Sequence, residues 1–144
     1  MIDDKLVGEL ISQVGTGVCD TSIVVTHDLG LAWNVADRVA VMYLGRIVEE
    51  GPTEELLTSP RHPYTRALLS VVPEVGEVEQ QILTGEAPDP TRIPPGCRFH
   101  PRCPVVESGE AERLGILELC RGEDPLMMPA CHAVAQPAAA GETT

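Results

Sequence analysis

Ser22-Ile23-Val24-Val25-Thr26 is a short run rich in β-branched residues, followed at once by His27-Asp28 and then by Arg38-Val39-Ala40-Val41-Met42-Tyr43-Leu44. The first run reads as a buried strand. Asp28 can cap a short helix that carries Ala32, Val35 and Ala36 on one face. Arg38 to Leu44 reads as a second strand. Gly45 offers a turn, and Arg46-Ile47-Val48-Glu49-Glu50 pairs back as a hairpin. A strand, a helix and a further strand in that order predict a parallel pair within an α/β sheet. Two or three strands cannot cover both faces of such a sheet. Residues 1–72 therefore read as part of a larger α/β domain.

Upstream of this stretch, Val7, Leu10, Ile11 and Val14 follow helical spacing. Asp3 or Asp4 can cap that helix, and Gly15 and Gly17 can end it. Cys19 follows as a lone thiol, best read as a small packed hydrophobe. Downstream, Gly51-Pro52 stops the hairpin. Thr53 can cap a helical turn with Glu54 and Glu55 at its positive end. Pro63 suits the first position of another helix, with Tyr64, Ala67, Leu68 and Val71 on one face. Trp33 reads as half-buried on its short helix, and Glu49, Glu50, Glu54 and Glu55 as solvated acids. Residues 73–96 read as a proline-rich linker, residues 97–132 as a loop-rich cysteine extension, and residues 133–144 as a disordered tail. There is no internal repeat.

Composition narrows the function. Ten Lys and Arg against 22 Asp and Glu give a formal charge of -12 over 144 residues. That balance argues against nucleic acid or an anionic membrane surface as the main partner. No apolar run reaches the ~18 residues of a membrane-spanning helix. The first twenty residues lack the charged-then-apolar order of an export signal. Five cysteines without an export signal point to thiols or metal ligands before disulfides.

Two groups of residues carry chemistry. His27 stands just past the end of the first strand run, the edge where open α/β sheets bind ligands. An imidazole there can donate a hydrogen bond to a phosphate oxygen or to an attacking water. The plainer alternative is a helix-capping or solvated side chain. Cys97, Cys103, Cys120 and Cys131 have the spacing C-x5-C-x16-C-x10-C. Four thiolates can close a tetrahedral zinc site or hold an iron–sulfur cluster. His100 and His132 are further candidates for zinc. The plainer alternative is four reduced thiols without metal.

The segment Ile23-Val24-Val25-Thr26-His27-Asp28-Leu29-Gly30 resembles the switch-histidine segment of ABC-transporter ATPases, and the likeness continues from Val35 to Gly51. Ser59-Pro60-Arg61-His62-Pro63-Tyr64-Thr65-Arg66-Ala67-Leu68-Leu69 resembles the stretch that follows in the oligopeptide/dipeptide importers. Pro95-Gly96-Cys97-Arg98-Phe99-His100-Pro101-Arg102-Cys103-Pro104 is similar to the C-terminal extension of that subfamily. The resemblance implies an α/β P-loop NTPase-type fold, with His27 contacting the γ-phosphate of ATP and helping to organise the hydrolytic water. It implies ATP and Mg²⁺ in the full-length protein, a second ATP-binding subunit in a homo- or heterodimer, and transporter membrane subunits as partners. It implies a peripheral cytoplasmic location at the inner or plasma membrane. For the cysteines it implies a [4Fe-4S] cluster, with zinc as the alternative. The family's last cysteine would stand at Gln136, so Cys131, His132 or neither completes the set here.

This sequence contains no G-x-x-x-x-G-K-[ST] loop, no Leu-Ser-Gly-Gly-Gln-like signature and no apolar strand ending in Asp-Glu. It therefore reads as a C-terminal fragment of the ATP-binding subunit, inactive alone and prone to aggregate through its open sheet. The second reading is a stand-alone metal-binding regulatory module derived from that subunit. A His-Asp metallohydrolase is a third, disfavoured because His27, His62, His100 and His132 fall in separate zones.

Overall fold

The computed structural model describes residues 22–72, 83–85 and 88–135. The expected first helix, Cys19, half of the linker and residues 136–144 lie outside the described residues, as does the side chain of Trp33. The element order is α1 (Leu29–Val35), β1 (Arg38–Tyr43), β2 (Arg46–Pro52), α2 (Thr53–Thr58) and α3 (Pro63–Leu69). A 3₁₀ turn (His100–Arg102) and four short helices follow: α4 (Pro104–Glu107), α5 (Glu110–Arg113), α6 (Leu117–Gly122) and α7 (His132–Ala135). Ala133–Ala135 thus join a helical turn where the sequence suggested the start of a disordered tail.

The sheet among the described residues is the antiparallel pair β1–β2. Leu44 and Gly45 form the two-residue connection, both with positive φ (46° and 73°). That backbone matches the primed turns whose twist suits a hairpin. The expected parallel pair is not formed. Ser22–Thr26 has no regular strand structure, and Ile23 and Val25 are 91% and 96% exposed. An isolated β-branched run has no ladder to satisfy its backbone, so propensity alone does not make it a strand.

A bulge interrupts the hairpin. Val41 pairs with Glu49 and Met42 with Ile47, so Val48 is the extra residue on β2. Alternation is lost at this point, and Val48 and Glu49 are both buried. The Val48 carbonyl, released from the ladder, accepts the Ala130 N–H at 2.8 Å. Glu49 is not the solvated acid that its sequence context suggests. Its two carboxylate oxygens accept the backbone N–H groups of Arg61 (2.7 Å) and His62 (3.1 Å).

Pro52, with extended backbone, precedes α2, so Thr53 is the first helical residue and not the cap expected of it. Its hydroxyl donates to the Ala36 carbonyl and ties α2 to the end of α1. At α3 the proline reading holds: Pro63 is at the first position and His62 is the cap, with Nδ1 accepting from Tyr64 N–H at 3.0 Å. The buried face of α3 carries Ala67 and Leu69, while Val71 is exposed.

The main core joins Val41, Tyr43 and Val48 of the hairpin to Leu56, Leu57 and Leu69 of α2 and α3, and to Cys97, Phe99 and Cys103. Phe99 is its centre. Its ring meets Tyr43 edge-on at 5.2 Å, Tyr64 at 5.3 Å and His62 at 5.7 Å. A smaller cluster of Ala111, Ile116 and Cys120 is joined to it by Val105 and Val106. The two cores meet at the cysteines.

Candidate metal centre

Three of the four cysteines stand at the start of a tight turn. Cys103 is the cap of α4, Cys131 directly precedes α7, and Cys97 precedes the 3₁₀ turn. Around each, backbone N–H groups two and three residues on favour the thiolate, and the residue three on also donates to the cysteine's own carbonyl. These are Phe99 and His100 for Cys97, Val105 and Val106 for Cys103, and Ala133 and Val134 for Cys131. Such donors oppose the larger effect of burial, which raises these thiols. Cys120 lies within α6 and has none of these donors.

The long segment between the second and third cysteines folds back through α4, α5 and α6. This brings Cys120 against the first cysteine loop, where Cys97 N–H donates to the Cys120 carbonyl at 2.9 Å. Gly96 makes that approach workable. Its φ is +69°, and a Cβ there would lie 2.6 Å from both the Cys120 oxygen and the Arg121 carbonyl carbon. The Cys131 segment is docked by the bond from Ala130 to the bulge. Arg46 adds a second tie, with its guanidinium donating to the Asp124 carboxylate and to the Pro125 carbonyl.

The four cysteines are buried and free, and all line one small cavity together with His62 and His132. Burial raises every one of the four thiols above the ordinary value, Cys103 to about 12 and Cys120 to about 11. Neighbouring cysteines push in the same direction, with Cys131 and Cys97 each raising Cys103 and Cys120. Four such thiols stay protonated unless a cation neutralises the charge that they would gain together. Among the described residues, no three His, Cys, Asp or Glu side chains stand close enough to hold a single metal ion.

The other sequence candidates are placed as follows. His27 is exposed and lies far in the chain from the cysteine cavity, next to the irregular segment 22–26. His100 and His132 each commit one ring nitrogen at 2.9 Å to a backbone carbonyl, of Cys97 and Glu123 respectively. His62 was legible only as part of a helix start. In the structure it is 1% exposed, and burial lowers its pKa to about 4 against the opposing pull of the Glu49 carboxylate.

Comparison with known proteins places this arrangement. Residues 48–109 match the family described as oligopeptide/dipeptide transporter, C-terminal region. The match holds β2 from the bulge onward, α3, Cys97 and Cys103; Cys120 and Cys131 lie beyond it. The chain is 41% identical over 138 residues to the probable peptide ABC transporter ATP-binding protein y4tS of Sinorhizobium fredii, covering 89% of this chain and 36% of that protein. It is 41% identical over 102 residues to the oligopeptide transport ATP-binding protein AppD of Bacillus subtilis, covering 69% and 30%. It is 48% identical over 84 residues to the dipeptide transport ATP-binding protein DppF of Haemophilus influenzae, covering 56% and 26%. Residues 48–109 thus carry the likeness to the C-terminal region of oligopeptide/dipeptide transporters, and the wider chain is similar to the C-terminal third of peptide ABC transporter ATP-binding proteins. It spans about a third of the length of these curated relatives.

Proposed function

We propose that these residues form the C-terminal part of the ATP-binding subunit of a peptide ABC importer, with His27 at the switch position and the four cysteines as a metal centre. The family match through the His62-Pro63-Tyr64 stretch and the first two cysteines carries the transport reading. In the full-length protein, ATP and Mg²⁺ bind to elements that this sequence does not contain. His27 is the residue that would contact the terminal phosphate there. The partners are membrane subunits and a second ATP-binding subunit, and the location is the cytoplasmic face of the membrane. No described helix is long and apolar enough to cross a membrane. The 144-residue chain by itself does not hydrolyse ATP, because phosphate cradling and Mg²⁺ coordination supply most of the stabilisation in such sites.

The resemblance favours an iron–sulfur cluster over one zinc, and the four cysteine side chains that would hold it line one cavity. An iron–sulfur cluster takes four thiolates, and hydrogen bonds to its sulfurs help to set its potential. When bound, a cluster supplies the positive charge that the buried thiols lack. The chain's own part is to hold the four sulfurs, exclude water through Phe99, Val105 and Val106, and lock the cysteine extension onto the hairpin.

The test of the transport reading uses both forms. Purified chain is expected to show no Mg²⁺-dependent ATP hydrolysis. His27→Ala in the full-length subunit is expected to abolish hydrolysis and peptide uptake while ATP binding persists. Hydrolysis by the 144-residue chain that disappears in His27→Ala, or full uptake by the full-length variant, overturns it.

A further inference from the structure

The cavity between the two cores is lined by one side chain whose polar atom has no partner. His62 is fixed on three sides. Glu49 holds its backbone N–H, Tyr64 N–H donates to its Nδ1, and the Phe99 ring packs against its imidazole. With Nδ1 accepting, the neutral ring carries its proton on Nε2. That Nε2 is buried without a hydrogen-bond partner. The Ala130 carbonyl lies near it at a geometry that does not complete a hydrogen bond. His62 lines the same cavity as Cys97, Cys103, Cys120 and Cys131. The other two histidines at the cavity, His100 and His132, are half-buried and already bonded to backbone carbonyls.

Resting on the metal-centre reading above, we infer that the Nε2–H of His62 donates a hydrogen bond to a sulfur of the centre held by the four cysteines, and so sets its reduction potential. Sulfur in a metal–thiolate or sulfide centre carries negative charge and accepts from N–H donors. Such a bond favours the reduced, more negative state and raises the potential. It also gives a reason for the sequence His62-Pro63-Tyr64. Proline starts the helix without an N–H, Tyr64 supplies the N–H that fixes the tautomer, and the ring is left with one free donor. His62 is thus a tuning residue and not a ligand.

The test uses the whole chain reconstituted anaerobically with iron and sulfide. His62→Asn keeps a good cap acceptor for Tyr64 N–H but is too short to reach as the imidazole does. The expected result is unchanged iron content with a reduction potential shifted to more negative values. In the reduced wild-type protein labelled with ¹⁵N-histidine, pulsed EPR is expected to show coupling to one histidine nitrogen and its exchangeable proton. An iron-loaded variant with the wild-type potential overturns the inference and leaves the metal centre standing. If the variant takes up no iron, the wild-type spectrum decides: coupling to a single histidine supports the inference, and its absence overturns it. Wild-type protein that takes up no iron overturns the metal centre and this inference with it.

Discussion

Glu49 shows how one buried acid organises the molecule. Its carboxylate accepts two backbone N–H groups that would otherwise be unsatisfied at the entry to α3. Glu49→Gln keeps one acceptor and turns the other into a donor facing an N–H. The expected cost is about 1.5–3 kcal/mol of stability, the scale of hydrogen bonds to a charged group, read as a lower thermal midpoint. A midpoint equal to that of the parent chain contradicts the role given to Glu49. Gly96 is the second decisive residue. Any side chain there meets backbone atoms at 2.6 Å in a left-handed conformation. Gly96→Ala is expected to destabilise the chain by at least ~1–3 kcal/mol and to sharply reduce iron uptake. Retention of both overturns the close approach of the two cysteine segments.

His62 adds a pH dependence to the metal-free chain. Burial lowers its folded pKa to about 4 from 6.5. Above pH 6.5 the imidazole is neutral in both states and stability from this source is complete. As pH falls below 6.5 the unfolded chain takes up the proton first, and stability is lost until about pH 4. The total is about 3 kcal/mol by linkage. Denaturant titrations across that range check it, and His62→Asn is expected to flatten the slope. The sequence reading named His62 only as the start of a helix. Its burial depends on Glu49 and Phe99, residues far apart in the chain, and no local spacing reveals that.

At the scale of elements, what was legible followed local chemistry. The hairpin was readable from Arg38–Leu44, Gly45 and Arg46–Glu50, because an apolar run and a glycine turn are both encoded locally. Pro63 marked α3 for the same reason. The bulge at Val48 was not readable, since it depends on how β2 docks and on the Ala130 N–H that its freed carbonyl accepts. That bulge is why Glu49 turns inward. The strand expected over Ser22–Thr26 failed because strand propensity needs a neighbouring strand to act on. The cysteine turns had a local signal in Cys103-Pro104, a cap followed by a proline at the first helical position, but spacing alone did not expose it. Phe99 links these elements. Phe99→Ala is expected to cost about 3–5 kcal/mol, as for other large aromatic truncations in a core, and to separate the hairpin from the cysteine turns. Urea unfolding that leaves the midpoint unmoved contradicts that placement.

At the scale of the whole molecule, the described residues form a hairpin and helices on one side and a folded cysteine extension on the other, joined through one aromatic centre. The exposed Ile23 and Val25 are an unsatisfied apolar segment. A double change of these two residues to Lys is expected to raise soluble yield severalfold and to leave the thermal midpoint within ~0.5 kcal/mol of the parent, as for surface substitutions. A collapse of the midpoint shows instead that the segment is packed in solution.

The proposed metal centre draws on four cysteines distant in sequence. Iron and acid-labile sulfide per chain, measured after anaerobic reconstitution with Cys97, Cys103, Cys120 and Cys131 replaced singly by Ser, test it most directly. The expected result is near-stoichiometric cluster in the parent chain and a large loss in each of the four variants. Iron that is absent from the parent, or unaffected by any one of the four replacements, contradicts it.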